Sequence, residues 1–463
     1  MQQQATQSKK FKRKLNSFER RFFRSPTNTI SIVARVKGYI SEEVLKTAIT
    51  KVKQQHPLVG VRIYMDENFN PWYTNENVSE NPVKVVQRTS DDDWNRELLR
   101  EYKIRFILSE GPLARFVLLQ SPEISEILLV CHHVICDGTS LAILARDLLS
   151  YIGNPDREVQ EMPEAPLATL DNFPIDVKIG KAISFAIKKL NDKWQKDKVI
   201  FDEEDEDNIF KAFYDNYDLK VISVELDEEE TSKLVEECKQ HGVSVNSALN
   251  TAFLAARNAI RGALNKKIMV PVNTRKYYKK PIGEYFGMYV SGFDFKLSYN
   301  PKKDFWENTK KLNEKARENL YIEKIFKFAA ITDIIDQTIV DARQFSFFGS
   351  LVPSSSSRYE KIHAFSNDEK NVINKRAKKQ IPNLPGLAIT NLGRLDYPSK
   401  YGSLELDRFI LVTSGTPFIE LVIPTVTVAG KLTFTINYLE GSTDTLTMDR
   451  IKNKALEYLD IKN

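Results

Sequence analysis

Apolar and polar residues along the first 150 positions predict strands and helices in turn. Residues 29–39, TISIVARVKGY, are rich in β-branched residues and predict a strand. Residues 41–57 predict a helix, because a serine N-cap precedes apolar residues at helical spacing and a proline ends the run. The apolar segments 111–120 and 126–133 predict two more strands, and an amphipathic helix follows from residue 139. This order predicts an α/β unit.

The same alternation of strands and helices returns after residue 218 and continues to a closing helix, so a second α/β lobe is predicted. Residues 176–217 differ from both lobes. They contain an amphipathic helix with lysines on its polar face. This helix either lies on a membrane surface or packs on the protein's own core, and we favour packing on the core. The acidic run DEEDEDN follows and is interpreted as a solvated loop. We therefore predict an N-terminal lobe (1–175), a linker (176–217) and a C-terminal lobe (218–463).

Composition narrows the class of protein. The chain has 463 residues, of which 42% are hydrophobic and 28% charged, as in a folded protein with a large core. A net charge of +5 on 67 basic and 62 acidic residues argues against nucleic-acid binding as the main role. Three cysteines argue against a disulfide framework and indicate a reducing compartment, so a cytoplasmic location is predicted.

No apolar run is long enough for a membrane span, so no stable membrane insertion is expected. The basic run near the N-terminus lacks the apolar core of a secretory signal and is interpreted as a solvated tail. Attraction to an anionic surface is the alternative for that tail.

The stretch LLVCHHVICDG, residues 128–138, combines a buried strand with two adjacent histidines. Successive strand side chains point to opposite faces, so His132 and His133 cannot share one role unless the strand has ended. Asp137 and Gly138 follow, at a place where a sharp turn leads into the next helix. One histidine can pack inward as a hydrogen-bonded group while the other faces a cleft.

A metal site is not predicted here, because Cys131, His132, His133 and Cys136 lie too close in sequence to surround one ion. The sequence has no G-x-S-x-G, no G-x-x-x-x-G-K-[ST], no G-x-G-x-x-G and no H-E-x-x-H motif. Two interpretations remain. Either the histidine pair is structural and satisfied by the backbone, or one ring is a base that takes a proton from an acceptor attacking an activated acyl group.

The motif HHVICDG resembles the HHxxxDG motif of the acyltransferase superfamily that is similar to chloramphenicol acetyltransferase. That superfamily includes nonribosomal peptide condensation domains, plant BAHD acyltransferases, wax ester synthases and bacterial alcohol O-acyltransferases. The segments LNSFERRFF, GPLARFVLL, VPVNTR, YFGMYV and NLGRLD also resemble family landmarks in the same order. The resemblance covers nearly the whole chain. It implies an α/β fold of two chloramphenicol-acetyltransferase-like lobes in a V, with a tunnel between them and the motif at its midpoint.

The resemblance also implies roles for individual residues. His133 would be the general base and His132 a structural residue. Asp137 would hold the motif loop through a salt bridge to Arg275, and Gly138 would keep the tunnel open beside the base. From the residues alone, Arg275 is merely a charge at the end of a strand.

Other residues receive weaker expectations. Ser414 could donate a hydrogen bond to a developing oxyanion, with a strand-end turn as the alternative. Asn391 and Gly393, in NLG, are candidates for the oxyanion site or the tunnel wall. Three lysines in TRKYYKK could contact the phosphates of coenzyme A or an acidic carrier protein, with a solvated loop as the favoured alternative; they are Lys276, Lys279 and Lys280.

Two departures separate the chain from the plant enzymes. Their DFGWG motif is missing, and Met288 stands where they carry an asparagine.

The motif and the resemblance together predict an acyltransferase that moves an acyl group from a thioester to an alcohol or amine in a ternary complex, without an acyl-enzyme. The co-substrate would be an acyl-coenzyme A or acyl-phosphopantetheine, with no permanently bound cofactor.

Two alternatives stay open. In the first alternative, the chain is a free-standing condensation domain that joins carrier-bound substrates through an amide bond. In the second, it is a non-catalytic binding protein that keeps the fold. The expected partners are a small-molecule acceptor and, in the condensation alternative, a carrier protein acting in trans. A monomer is expected.

Overall fold

A computed structural model describes residues 10–162, 166–174, 177, 179–262 and 267–462. The strands of the described chain are β1 (Lys12–Lys14), β2 (Thr29–Lys37), β3 (Arg62–Met65), β4 (Pro71–Thr74), β5 (Val83–Gln87), β6 (Ala114–Gln120), β7 (Ile124–His132), β8 (Asp218–Glu225), β9 (Lys267–Asn273), β10 (Val290–Lys296), β11 (Leu387–Leu395), β12 (Lys400–Tyr401), β13 (Leu404–Thr413), β14 (Leu421–Val428) and β15 (Lys431–Glu440).

The α-helices of the same residues are α1 (Ser17–Arg20), α2 (Glu42–Gln55), α3 (Asp93–Tyr102), α4 (Gly138–Gly153), α5 (Lys181–Lys196), α6 (Glu203–Asn216), α7 (Glu228–Gln240), α8 (Val245–Arg261), α9 (Phe305–Asn319), α10 (Ile322–Ile334), α11 (Gln337–Phe348), α12 (Tyr359–Asn367), α13 (Val372–Gln380) and α14 (Thr445–Tyr458). Ser41 caps α2 by accepting a hydrogen bond from the Val44 amide, as the sequence predicts.

The first six-stranded sheet has the order β12-β13-β2-β7-β6-β5. Strand β7, which leads into the histidine pair, lies in its middle and pairs antiparallel with β2 and β6. The residues of β2 and β7 are almost all buried, because helices pack on the sheet and leave little of it exposed. Strand β13 comes from the last third of the chain and pairs with β2 over eight residue pairs.

The second six-stranded sheet has the order β10-β9-β11-β14-β15-β8. Strand β11 runs parallel to β9 and β14, whereas the other pairs of this sheet are antiparallel. Helices α8 and α14 pack together on it, and their apolar residues share one core with the sheet. This mixed α/β architecture with two six-stranded sheets confirms the predicted fold class.

The two sheets meet where β13 of the first lies beside β15 of the second. The Thr435 hydroxyl donates to the carbonyl of Leu411 at 2.8 Å, and the Asn437 side-chain amide donates to the carbonyl of Thr413 at 3.0 Å. Because β13 belongs to the first sheet, a segment predicted to lie in the C-terminal lobe adds a strand to the sheet that contains β2 and β7. The boundaries of the linker remain a prediction.

The acidic run was predicted as a loop, and this prediction is wrong. Its residues form the first turn of α6, where Asp202 caps the helix and accepts hydrogen bonds from the amides of Glu204 and Asp205. Acidic side chains stabilise a helix N-terminus by about 0.3–1 kcal/mol each when exposed. Glu206 is buried and pairs with Arg24 at 2.7 Å. The charge run therefore belongs to a helix and to ion pairs.

The amphipathic helix of the linker packs on the protein's own core, which agrees with the interpretation favoured from its sequence. The Trp194 ring of α5 is fully buried, and its indole N–H donates to the hydroxyl of Thr338 at 2.8 Å. No helix of the described residues is both long and apolar enough to cross a membrane.

Candidate functional site

The histidine pair lies at the point where the central strand of the first sheet ends. His132 is the last residue of β7 and is 4% exposed, whereas His133 follows in a turn and is partly buried. The Val134 amide donates to Nδ1 of His132 at 3.1 Å, and Nε2 of that ring is 3.3 Å from the Asn28 side-chain amide. The two rings therefore have separate surroundings, because the strand ends between them.

The His133 ring is held by one hydrogen bond and one stacking contact. Its Nδ1 donates to the carbonyl oxygen of Cys136 at 2.7 Å, and its plane stacks on the ring of Phe22 with centroids 4.0 Å apart. The backbone amide of His133 donates to the carbonyl of Asn28 at 2.6 Å. With the proton on Nδ1, the lone pair on Nε2 is available to accept a proton.

The pKa values of both histidines favour neutral rings at pH 7. Burial, together with the charges of His133, Arg115 and Arg105, lowers the pKa of His132 to about 3. Burial also lowers the pKa of His133, although the Cys136 carbonyl and the Asp137 carboxylate act in the opposite direction. The charge of Arg21 contributes to the lowering. His133 is thus in the protonation state that a general base requires.

Asp137 and Arg275 form the buried pair that the resemblance implies. Arg275 donates from Nη1 to Oδ2 of Asp137 at 2.9 Å and from Nη2 to Oδ1 at 3.1 Å. The two residues are 3% and 5% exposed. Burial alone would raise the pKa of Asp137, but the Arg275 guanidinium and the amides of Ser140 and Tyr289 lower it. The pair links the motif loop to the segment after β9.

The YFGMYV segment closes around the same carboxylate. The Tyr289 amide donates to Oδ2 of Asp137 at 2.8 Å, and the Asp137 amide donates to the carbonyl of Gly287 at 3.2 Å. Asp137 also caps α4 by accepting from the Ser140 amide at 2.8 Å. Arg275 donates to the Ser140 hydroxyl at 2.7 Å. Three segments that are distant in sequence therefore meet at one aspartate.

Gly138 lies against the second lobe at the first residue of α4. A Cβ atom there would be 3.1 Å from Cδ2 of Leu392 and 3.4 Å from Cδ2 of Leu411. Glycine thus permits the close approach of Leu392, which belongs to the NLG segment of β11. The proposed effect of Gly138 on a tunnel remains a prediction.

The three remaining candidates near the strand ends have structural contacts. The Ser414 hydroxyl donates to the Thr29 carbonyl at 2.8 Å and accepts from the Thr29 amide at 3.1 Å, so its proton is engaged within the protein. Asn391 accepts from the Gly393 amide at 2.7 Å. Gly393 has a φ of +76°, which favours glycine, and lies in an irregularity of the pairing between β11 and β14. Their roles in an oxyanion site remain predictions.

A cavity of about 840 Å³ opens between α4 of the first lobe and β9, β10, α8 and α9 of the second. Thr139 and Ile143 contribute from the first lobe, and Arg275 lies in its wall, whereas His133 is not one of its lining residues. The cations on its wall include Lys276 and Arg317, for which the described residues provide no ion pair. The cavity therefore offers positive charge beside the motif helix.

The predicted lysine cluster divides between two environments. Lys276 lines the cavity, with its Nζ 5.0 Å from the centroid of the Tyr277 ring. Lys279 donates to the carbonyl of Asp171 at 3.1 Å, and Lys280 is exposed outside the cavity.

Several residues of the site were missed by sequence reasoning. The sequence predicts Phe22, which stacks on His133, only as part of an opening helix, and it singles out neither Ser140 nor Tyr289. Their contacts depend on which segments the tertiary structure brings together. Ser140 had one usable signal, because it stands three residues after a helix-capping aspartate.

The site lies where two α/β lobes meet, with His132 and His133 at the end of a central strand and Asp137 paired with Arg275 of the other lobe. The comparisons with known proteins bear out a resemblance to condensation domains over part of the chain. Residues 18–169 match the family model described as Condensation domain.

The relatives by sequence are short matches within much longer proteins. Chondramide synthase of Chondromyces crocatus is 26% identical over 134 residues, which is 26% of this chain and 3% of that protein. Cyclosporin synthetase of Tolypocladium inflatum is 24% identical over 249 residues, which is 53% of this chain and 2% of that protein. The matched part is thus a small fraction of each relative.

Solved structures match nearly the whole chain at low identity, which defines the fold. Trichothecene 15-O-acetyltransferase from Fusarium sporotrichioides has a TM-score of 0.64 at 13% identity, with 97% of this chain and 94% of that chain covered. The first condensation domain of the calcium-dependent antibiotic synthetase has a TM-score of 0.60 at 14% identity, with 97% of both chains covered.

Proposed function

We propose that the protein is an acyltransferase that moves an acyl group from a thioester to the hydroxyl or amine of an acceptor, with His133 as the general base. The observation that carries this proposal is the His133 ring, because its Nδ1 is held by the Cys136 carbonyl while Nε2 is left to accept a proton. In the described part of the chain, no hydroxyl or thiol side chain hydrogen-bonds to this ring. Direct transfer in a ternary complex therefore suits the site better than an acyl-enzyme.

The reaction follows from that geometry. Nε2 of His133 takes the proton of the acceptor as its oxygen or nitrogen attacks the thioester carbonyl carbon. The tetrahedral intermediate then expels the thiolate, which receives the proton back from Nε2, so the histidine returns to its neutral form. The stacked Phe22 ring and the Cys136 carbonyl keep the imidazole in one orientation throughout. Asp137 acts through the loop it fixes and does not take part in proton transfer.

The cavity beside α4 suits the phosphate-bearing end of a donor such as coenzyme A or phosphopantetheine. Lys276 and Arg317 line it, and neither has an ion-pair partner in the described ranges. Thr139 and Arg275 place one end of this cavity next to the motif. A donor bound there would lie beside α4, the helix that follows the loop of His133.

A second candidate is a condensation reaction in which both substrates are carried by phosphopantetheine arms. The match of residues 18–169 to the Condensation domain model favours this candidate, as do relatives named as synthases and synthetases such as surfactin synthase subunit 2 of Bacillus subtilis. Both candidates use the same base and the same thioester chemistry. They differ in whether free coenzyme A esters are accepted.

A donor comparison tests the proposal. The purified protein is incubated with alcohols and amines and with one acyl group supplied either on coenzyme A or on a phosphopantetheinylated carrier protein, and products are identified by mass spectrometry. Product from the coenzyme A ester is the expected result. Product from the carrier alone would favour the condensation candidate. Binding of the thioester without product from any donor would contradict both and favour a non-catalytic binding protein.

The pH dependence of kcat/KM gives a separate prediction. The neutral ring is the active form, so kcat/KM is expected to be constant above the pKa of His133 and to fall as the pH decreases through it. Because that pKa is lowered, the midpoint of the fall is expected below pH 6.5. Removal of the Arg21 charge in Arg21→Gln is expected to move the midpoint upward, whereas Arg376→Gln, at an exposed position, leaves it in place. A midpoint above the ordinary histidine pKa would contradict this environment.

A further inference from the structure

Two arginines on neighbouring elements, Arg21 and Arg343, have no acidic partner among the described residues. Arg21 follows α1 and Arg343 lies on α11, and both side chains are partly buried. No hydrogen bond or ion pair of either guanidinium to another described residue is formed, and Nε of Arg343 is buried without an acceptor. A buried donor left unpaired costs about 1–3 kcal/mol, and more when it is charged. Arg343 carries such a donor, and Arg21, on a neighbouring element, has no acidic partner among the described residues.

The neighbouring arginines, in contrast, each pair with a carboxylate. Arg20 is buried against Asp341 at 2.7 Å, and Arg24 against Glu206 at 2.7 Å. The carboxylate of Asp341 is therefore already occupied. Burial raises the pKa of Asp333, on the preceding helix, which is opposite to the effect of an arginine partner. Within the part of the chain that the structure describes, these carboxylates provide no counter-charge for Arg21 and Arg343.

Helix α11, which carries Arg343, packs against α1 and against Arg21, which follows α1. The Gln344 side-chain amide donates to the backbone carbonyl of Arg21 at 3.4 Å, and the ion pair between Arg20 and Asp341 fixes the same two elements. Burial lowers the pKa of Arg21 to about 10, and repulsion by the charge of Arg343 acts in the same direction. An anion placed between them would relieve that repulsion.

Aromatic rings hold both guanidinium groups by their faces. Cζ of Arg21 lies 4.6 Å from the centroid of Phe328 and 5.7 Å from that of Phe22, and Cζ of Arg343 lies 4.8 Å from that of Phe347. A guanidinium stacked in this way keeps its N–H donors, which lie in its plane, free for a planar anion. Because Phe22 also stacks on His133, Arg21 is one aromatic ring away from the proposed base.

We propose that Arg21 and Arg343 bind a carboxylate group of the substrate, carried either by the acyl group or by the acceptor. This inference rests on the proposed function, because it assigns the carboxylate to a molecule that reacts beside His133. The shape of the anion follows from the donors, since two forked guanidinium groups match the two oxygens of a carboxylate. The phosphates of the donor have their own cations in the cavity beside α4.

Matched substrate pairs test the proposal and distinguish the two sources. Succinyl-coenzyme A is compared with butyryl-coenzyme A as donor, and glycine with glycinamide and hydroxybutyrate with butanol as acceptors. We expect one pair to show a preference in kcat/KM of about tenfold or more for the carboxylate member, since a hydrogen bond to a charged group is worth that much. Arg343→Gln and Arg21→Gln are expected to remove the preference, whereas Arg376→Gln keeps it. The absence of a preference in every pair would overturn the proposal.

Equilibrium binding separates this proposal from the proposed function. Glutarate and its neutral diamide are titrated into the protein by isothermal titration calorimetry, with no thioester present. Glutarate binding that weakens about tenfold or more in Arg343→Gln would support the carboxylate site even if no donor were turned over. Equal binding of glutarate and the diamide would overturn the site and leave the acyl transfer proposal standing. A variant that fails to fold is recognised by its circular dichroism, and Arg343→Lys then replaces it.

Discussion

Replacement of His133 by alanine is expected to lower kcat/KM by roughly 10²–10⁴-fold, the usual contribution of a general base. The ring makes one hydrogen bond, to the Cys136 carbonyl, and one stacking contact, with Phe22, and it is partly buried. Its loss therefore removes the proton acceptor without opening the centre of the core. The measurement is steady-state kinetics with the donor and acceptor that the product analysis identifies.

The matched control is His363→Ala, because His363 is an exposed histidine on α12. This variant is expected to retain full activity, and both proteins should give the circular dichroism of the parent. If His133→Ala kept the parent's kcat/KM while folded, another group would have to act as base and the role assigned to His133 would be wrong.

The second large effect is on stability. Arg275→Met leaves the Asp137 carboxylate buried without its counter-charge, and breaking a buried ion pair in this way costs about 3–5 kcal/mol. The substitution also removes a donor to the Ser140 hydroxyl and a cation–π contact with the Tyr289 ring at 4.8 Å. Urea denaturation followed by tryptophan fluorescence and circular dichroism should show this decrease in the free energy of unfolding, in the transition that includes the motif loop.

Two comparisons make this result interpretable. Arg394→Met breaks an exposed pair with Asp396 and is expected to cost only about 0–1 kcal/mol. The double variant Asp137→Asn with Arg275→Met is expected to recover part of the stability, because asparagine removes the unpaired charge and still caps α4. If Arg275→Met cost no more than Arg394→Met, the buried pair would not be what holds the motif loop to the second lobe.

The central part of the site could be predicted because its signal is local. Strand β7, its histidines, the capping aspartate and the start of α4 lie within a short continuous stretch, and short-range geometry fixes how they follow one another. Arg275 could be assigned only through the resemblance, since its partner is 138 positions away. Phe22, Arg21 and Arg343 had no sequence signal, because their proximity depends on how α1 and α11 pack.

The elements of the fold also divide into those that the sequence predicts and those that only the structure reveals. The apolar periodicity of β2 and α2 predicted both elements, since each needs only its own residues and caps. The acidic run was misassigned because a charge run is consistent with a solvated loop as well as with a helix N-terminus, and only the partners of Glu206 decide between them. The assignment of β13 to the first sheet also needs the structure, because strand pairing between distant segments leaves no local pattern.

The sequence by itself determined the periodic elements, the motif and the separate surroundings of two adjacent histidines, because backbone periodicity and helix capping act over a few residues. Only the tertiary structure decided which charges are paired and which are left open. Hydrogen bonds and ion pairs form over a few ångströms in space, whatever the distance along the chain. For that reason the pairing of Asp137 with Arg275 became visible only in the folded protein, as did the lack of an acidic partner for Arg21 and Arg343 among the described residues.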